Sequence, residues 1–210
     1  MSYAIISSLF WTVFTFIAKY VISKKMKNFI SFAYFQGILI IFLFPILSYI
    51  IVSGQIYLPP VEMAPYVLIS GGTSILAYLL MYYGLTKYDA SSATPIVSVK
   101  PIFVIPLSYI FLGEFYGLGV ILWILIAMGG AIMTSWDENM KARQLLSLKN
   151  EALWVFLAVS FLYASGNVAV KPAMKLVSNY NFLIWREFAW FGVLLALMPL
   201  ILHAREQKIL

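Results

Sequence analysis

The sequence predicts an all-α integral membrane protein of about seven transmembrane helices, and three observations carry that reading. Of its 210 residues, 63% are hydrophobic and only 10% are charged, whereas a soluble domain has roughly a quarter charged. The mean hydropathy is +0.93. The apolar residues gather into runs at 3–22, 29–53, 64–86, 91–112, 115–136, 152–172 and 180–203, each long enough to cross a bilayer. Seven helices of about 21 residues would use about 150 residues, which leaves loops, one connector and no room for a separate catalytic domain.

Each run is set off by recognisable punctuation. The first follows Met1-Ser2-Tyr3-Ala4, with no basic residue ahead of it and no small-residue cleavage pattern, so it reads as a retained helix and not a signal peptide. Ser23-Lys24-Lys25-Met26-Lys27-Asn28 ends it, Pro59-Pro60 precedes the third run, and Gly113-Glu114 separates the fourth from the fifth. The polar stretch 137–150 reads as a cytoplasmic connector and divides the chain into 1–136, with five helices, and 151–210, with two.

Basic residues are retained on the cytoplasmic side of a membrane. With the N-terminus outside, the inner loops and tail hold Lys24, Lys25, Lys27, Lys87, Lys141, Arg143, Lys149, Arg205 and Lys208, and the outer loops hold Lys175 alone. The reading is therefore a multi-pass protein of the cell membrane, N-terminus outside and C-terminus cytoplasmic. The formal net charge of +6 reflects this topology and not nucleic-acid binding. The absence of cysteine excludes thiolate metal sites, and the single histidine His203 argues against a histidine metal site. No cofactor is expected. No P-loop, metalloprotease helix, nucleophile elbow or carboxylate pair occurs, and nothing argues for an enzyme.

The fourth run is the least ordinary. Proline removes a backbone donor and clashes with the carbonyl four residues earlier, so Pro95, Pro101 and Pro106 would strip partners from the carbonyls of Ser91, Val97 and Ile102. At membrane depth such carbonyls are tolerated against protein, a hydroxyl or a water-filled cavity. Ser91, Thr94 and Ser98 share a helical face, which fits solute contact or repair of the broken ladder. Lys100 falls near the middle of this run, too deep to snorkel. A lysine there costs about 2.5–3.5 kcal/mol, so it should face a cavity or an anionic solute, or else pair with Glu187 or Glu114.

Lys19, Lys171, Arg186 and Glu187 lie within a few residues of predicted helix ends, where snorkelling accounts for them. Sliding the chain on itself by 152 positions, however, aligns Ser8 with Ser160, Trp11 with Tyr163 and Lys19 with Lys171. A repeat of five helices re-enters the membrane from the opposite side, the inverted-repeat plan of many transporters. Tyr78, Tyr82, Tyr83, Trp11 and Tyr163 offer rings for a solute, or belong to packing and the interfacial belt. Gly113 and Gly117 allow close backbone approach.

From Tyr82-Tyr83-Gly84-Leu85 and Ala90-Ser91-Ser92-Ala93, through Pro101-Ile102-Phe103, to Leu112-Gly113-Glu114, the sequence resembles the EamA-type repeat of the drug/metabolite transporter superfamily. Trp11 with Lys19, and Tyr163 with Lys171, resemble the openings of two such repeats. The resemblance implies a secondary transporter, a permease of small metabolites working by alternating access through a central cavity. It covers one five-helix repeat and the first two helices of an inverted second repeat. Three helices that a full second repeat would have are missing from these 210 residues, so this reading expects a partial chain, or a homodimer or separately encoded helices as partner. The three lysines stand before helix two and not between helices two and three, which reverses the orientation usual in the family.

Expected substrate contacts are Lys100, Ser98, Thr94, Tyr78, Tyr82, Trp11, Lys171 and Arg186, with Pro95, Pro101, Pro106, Gly113 and Glu114 as structural residues. The expected partners are the lipid bilayer and a small-molecule solute, anionic or zwitterionic because the cations within the apolar runs outnumber Glu187. The alternatives are a non-transporting membrane subunit and a seven-helix receptor-like protein. A retinal protein needs a lysine in helix seven, and 180–203 has only Arg186.

Overall fold

The computed structural model describes residues 13–22, 24, 29–51, 57–88, 93, 96–134 and 151–206. Its order is α1 (13–21), α2 (Phe29–Ile51), a 3-10 turn at Val61–Met63, α3 (Ala64–Lys87), α4 (Lys100–Leu112), α5 (Leu118–Thr134), α6 (Glu151–Ala173) and α7 (Asn179–Glu206). The protein is all-helical over the described residues. Trp11, Thr94 and Pro95 lie outside them.

Val61–Lys87, Glu151–Ala173 and Asn179–Pro199 are long and apolar enough to cross a membrane, while Phe29–Leu43, Lys100–Leu112 and Leu118–Gly130 are shorter apolar stretches. The fourth run is broken within its described residues, for a local reason. Pro101 occupies the first turn of α4, where its missing N–H would be unpaired in any case, so it starts a helix instead of interrupting one. Residues 96 and 97 are still helical and residues 98 and 99 form a turn, with the Val99 N–H donating to Ile96 O at 3.2 Å and the Ile102 N–H to Val99 O at 2.9 Å. The expectation of a continuous helix over 91–112 centred on Lys100 is thereby corrected: Lys100 is the first residue of α4, and only Pro106 lies inside it.

Gly113 ends α4 in the left-handed conformation, φ 65° and ψ 21°, with its N–H donating to Tyr109 O at 3.1 Å. This is a left-handed C-cap in which the same N–H is shared with Ser108 O, reinforced by the Glu114 N–H donating to Ser108 O at 3.3 Å. Nothing lies within 4 Å of a Cβ built on Gly113, so the glycine answers to backbone conformation alone. Gly113→Ala is expected to lower stability by about 1–2 kcal/mol, and Gly113→Asn by less, as thermal melting of the two purified variants in detergent will show.

The chain forms two compact units, one of 1–33 with 77–164 and the other of 34–76 with 165–210. The first is built on Phe156, Val159, Tyr82, Leu85, Ala18 and Ile22, all buried. α5 belongs to it but leaves Leu118, Trp123, Ile126 and Met133 exposed, an apolar surface suited to lipid contact. In the second unit Met63, Val67, Ala173 and Phe182 make a smaller core, and glycines bring helices together. A Cβ on Gly71 would lie 2.9 Å from Arg186 O, Trp190 N and Ala189 Cβ, and one on Gly166 would lie 2.8 Å from Thr73 Oγ1. α3 therefore touches α7 and α6 at backbone distance.

Candidate functional site

Of the aromatic residues singled out in the sequence, Tyr78, Tyr82 and Tyr163 come together in the first unit, Tyr83 packs on Phe29 instead, and Trp11 lies outside the described residues. Tyr78 and Tyr82 are four apart on α3 and share a face. The Tyr82 ring stands edge-on to Phe32 at 5.0 Å, and that of Tyr78 edge-on to Tyr163 at 5.7 Å. Tyr78 also leans on Tyr82 at 5.8 Å. These rings are packed on one another: the space beside them, bordered by Phe14, Thr15, Met81 and Tyr82, measures about 10 Å³, room for about one water. In this conformation they form a core that would have to open to admit a solute.

Lys19 has a different role from the one snorkelling implies. Its Nζ donates to Leu85 O at 2.6 Å and to Tyr88 O at 2.8 Å. The last carbonyls of a helix have no partner of their own and carry the negative end of its dipole, so a lysine on α1 closes the end of α3. Beside it, the Glu151 carboxylate at the start of α6 accepts from Tyr88 Oη at 2.9 Å and from Lys87 Nζ at 3.4 Å. Burial and the hydrogen bond to Glu151 push the Tyr88 phenol above its ordinary pKa, so it remains a donor at neutral pH.

Broken backbone in the fourth run finds a hydroxyl. Ser160, fully buried on α6, donates to Ile96 O at 3.1 Å, with its own Phe156 O at 2.9 Å as a second acceptor. Ser98 lies in the turn just ahead of α4, two residues from Lys100. Lys100 is partly buried and forms no hydrogen bond or ion pair among the described residues. Neither carboxylate expected of it is engaged with it, since Glu114 accepts from Tyr116 Oη at 3.0 Å and Glu187 is held by Arg186.

In the second unit, Lys171 is exposed in the last turn of α6, while Arg186 and Glu187 form an ion pair on α7. Asn181, which the sequence reading did not single out, is 3% exposed. Its Oδ1 accepts the Tyr57 N–H at 3.0 Å and its Nδ2 donates to Ser178 Oγ at 3.1 Å. Trp185 Nε1 donates to the carbonyl of the same Tyr57 at 2.9 Å. Both backbone groups of Tyr57 are thus held by α7. A cavity of about 460 Å³ opens here, bordered by Tyr57, Leu58, Leu176, Ser178, Tyr180 and Asn181, within the size range of small-molecule sites. No periodicity in the sequence marks it, because its walls are a loop and a helix turn.

The model of the EamA-like transporter family matches residues 1–136. No curated protein and no solved structure matches the chain.

Proposed function

The chain belongs to the EamA-like transporter family, and from that premise we propose that it is a secondary transporter, a permease that carries small anionic or zwitterionic metabolites across the cell membrane by alternating access. Its N-terminus lies outside and its C-terminus in the cytoplasm. The observation that carries the choice of an anion is Lys100, a cation within an apolar run that has no carboxylate partner among the described residues. An ammonium in that setting is stabilised by water in a cavity or by a negatively charged solute. Ser98, with Thr94 in the same broken stretch of sequence, would supply neutral hydrogen bonds beside it, and opening of the Tyr78–Tyr82 cluster would give access. A carrier for cationic drugs would instead need an unpaired membrane carboxylate, and Glu187 is paired.

Uptake into proteoliposomes by the purified chain tests this, with gluconate, glutamate and inorganic phosphate as anionic probes and a quaternary ammonium as the cationic one. Transport of at least one anion, and a drop of at least ten-fold in its kcat/KM for Lys100→Ala, is expected, the loss of one charge-assisted contact being worth about 1.5–3 kcal/mol. If Lys100→Ala moves every anionic probe as fast as the parent, the assignment is wrong.

A further inference from the structure

Resting on that reading of an anion carrier, we propose that the Arg186–Glu187 pair of α7 is an exchangeable ion pair through which the solute anion is coupled to a proton. Arg186 lies seven residues beyond the first residue of α7, about 10 Å along the helix, and so within the apolar span. Glu187 is buried, at 9% exposed. The contact between them is one-sided. Arg186 Nε donates to Glu187 Oε1 at 3.0 Å and Nη2 donates to the same oxygen. Among the described residues, Nη1 donates to no protein group and Oε2 accepts from none.

Glu187 is buried while Arg186 is partly buried, their side chains 12% and 28% exposed, and an ion pair withdrawn from bulk water is held firmly only when its remaining donors and lone pairs are also satisfied. This pair is left with an open guanidinium edge, and a guanidinium fork matches a carboxylate or phosphate. Among the described residues of this unit no other charge completes it. Segments 34–51 of α2 and 64–76 of α3 contain no acidic or basic residue. Their titratable groups are Tyr34, whose hydroxyl donates to Leu194 O at 2.9 Å, Tyr49 and Tyr66. The other charged side chains described in this unit, Glu62, Lys171 and Lys175, are exposed.

Charge balance then fixes the exchange. With Glu187 ionised, the pair is neutral. When a solute carboxylate or phosphate takes the guanidinium, Glu187 is left as an isolated buried anion, which low-dielectric surroundings disfavour. It accepts one proton from water, and the complex is again neutral: Arg186 cation with solute anion, Glu187 as the uncharged acid. One proton enters with each monovalent anion, no net charge moves, and release reverses both steps. Gly71 lets the Arg186 carbonyl of this segment approach α3 closely, a Cβ there falling 2.9 Å from it, so the pair sits on backbone packed against α3.

The test uses the whole chain in proteoliposomes with the same three anions and a pH-sensitive dye inside. For the unaltered protein, a gradient of one pH unit, alkaline inside, should sustain about ten-fold accumulation of gluconate or another transported monovalent probe, with dye acidification and no response to an imposed membrane potential. Glu187→Gln, a fixed mimic of the protonated acid, should equilibrate that anion above protein-free vesicles, with accumulation falling to about one-fold and loss of pH dependence. Glu187→Asp should retain gradient-driven accumulation. Potential-driven uptake without acidification in the unaltered protein, or gradient-driven accumulation persisting in Glu187→Gln, overturns the proposal. Those results leave the anion-carrier reading standing, whereas failure of the unaltered protein to move any of the three anions removes both.

Discussion

Replacing Gly71 by leucine is expected to yield no folded protein, and replacing it by alanine to cost about 3 kcal/mol, the upper end for overpacking. A Cβ at this position would lie 2.9 Å from Arg186 O, 2.9 Å from Trp190 N and 2.9 Å from Ala189 Cβ. Carbon atoms in good contact sit about 3.5–4.0 Å apart, so α3 and α7 would have to separate by roughly half an ångström or more. Two of the three obstructing atoms are backbone, which no rotamer change can move aside. α7 has no easy direction in which to retreat, because the Trp190 ring also lies where a Cβ on Gly37 of α2 would meet it at 2.6 Å. Gly72 is the internal control: a Cβ there meets only Val193 Cγ2 at 4.0 Å, and Gly72→Ala should be neutral or slightly stabilising through helix propensity. Melting of the detergent-solubilised variants, followed by the fraction that remains monodisperse on size-exclusion, separates the two. Equal melting temperatures for Gly71→Ala and Gly72→Ala would show that the close approach is not needed for stability.

Composition and hydrophobic runs were enough to read the all-helical membrane class, because a bilayer imposes long apolar segments whatever the side-chain detail. The turn chemistry was equally legible at Gly113, where a single glycine before Glu114 announced a helix end and the backbone is left-handed there. What was not legible depended on contacts between residues far apart in the chain. Pro101 reads as a break when the run is taken as one helix and as a start once residues 98–99 turn, and only tertiary support, including the Ser160 hydroxyl on Ile96 O, favours the second. Asn181 has no signature at all, since its partners Tyr57 and Ser178 are one distant loop and one near turn. Gly71 is one of twelve glycines, and nothing local separates it from Gly72. Lys100 drew attention for a sound reason, the expense of a lysine in an apolar run, but its place at the start of α4 could not be read from the run's length.

Lys19→Met is expected to destabilise the first unit by about 2–4 kcal/mol, as the loss of two hydrogen bonds from a charged donor. Methionine keeps nearly all of the lysine stem's apolar volume, so packing beside Ala18 and Ile22, 0% and 2% exposed, is preserved, and the loss isolates the ammonium. That ammonium accounts for two carbonyls at the end of α3, Leu85 O at 2.6 Å and Tyr88 O at 2.8 Å. Without it, both carbonyls have to find water at the end of a helix whose flank is covered by Phe156 and Val155 against Gly84, at 2.7 and 3.2 Å from a Cβ built there. A positive charge there also offsets the negative end of the α3 dipole, so Lys19→Arg, which keeps the charge and alters the reach, should recover part of the stability. Lys24 is exposed, and Lys24→Met should leave the melting temperature within experimental scatter. If Lys19 merely extended to the membrane surface, the two methionine variants would melt together. Separation by several degrees, with arginine between them, is the outcome the carbonyl contacts require.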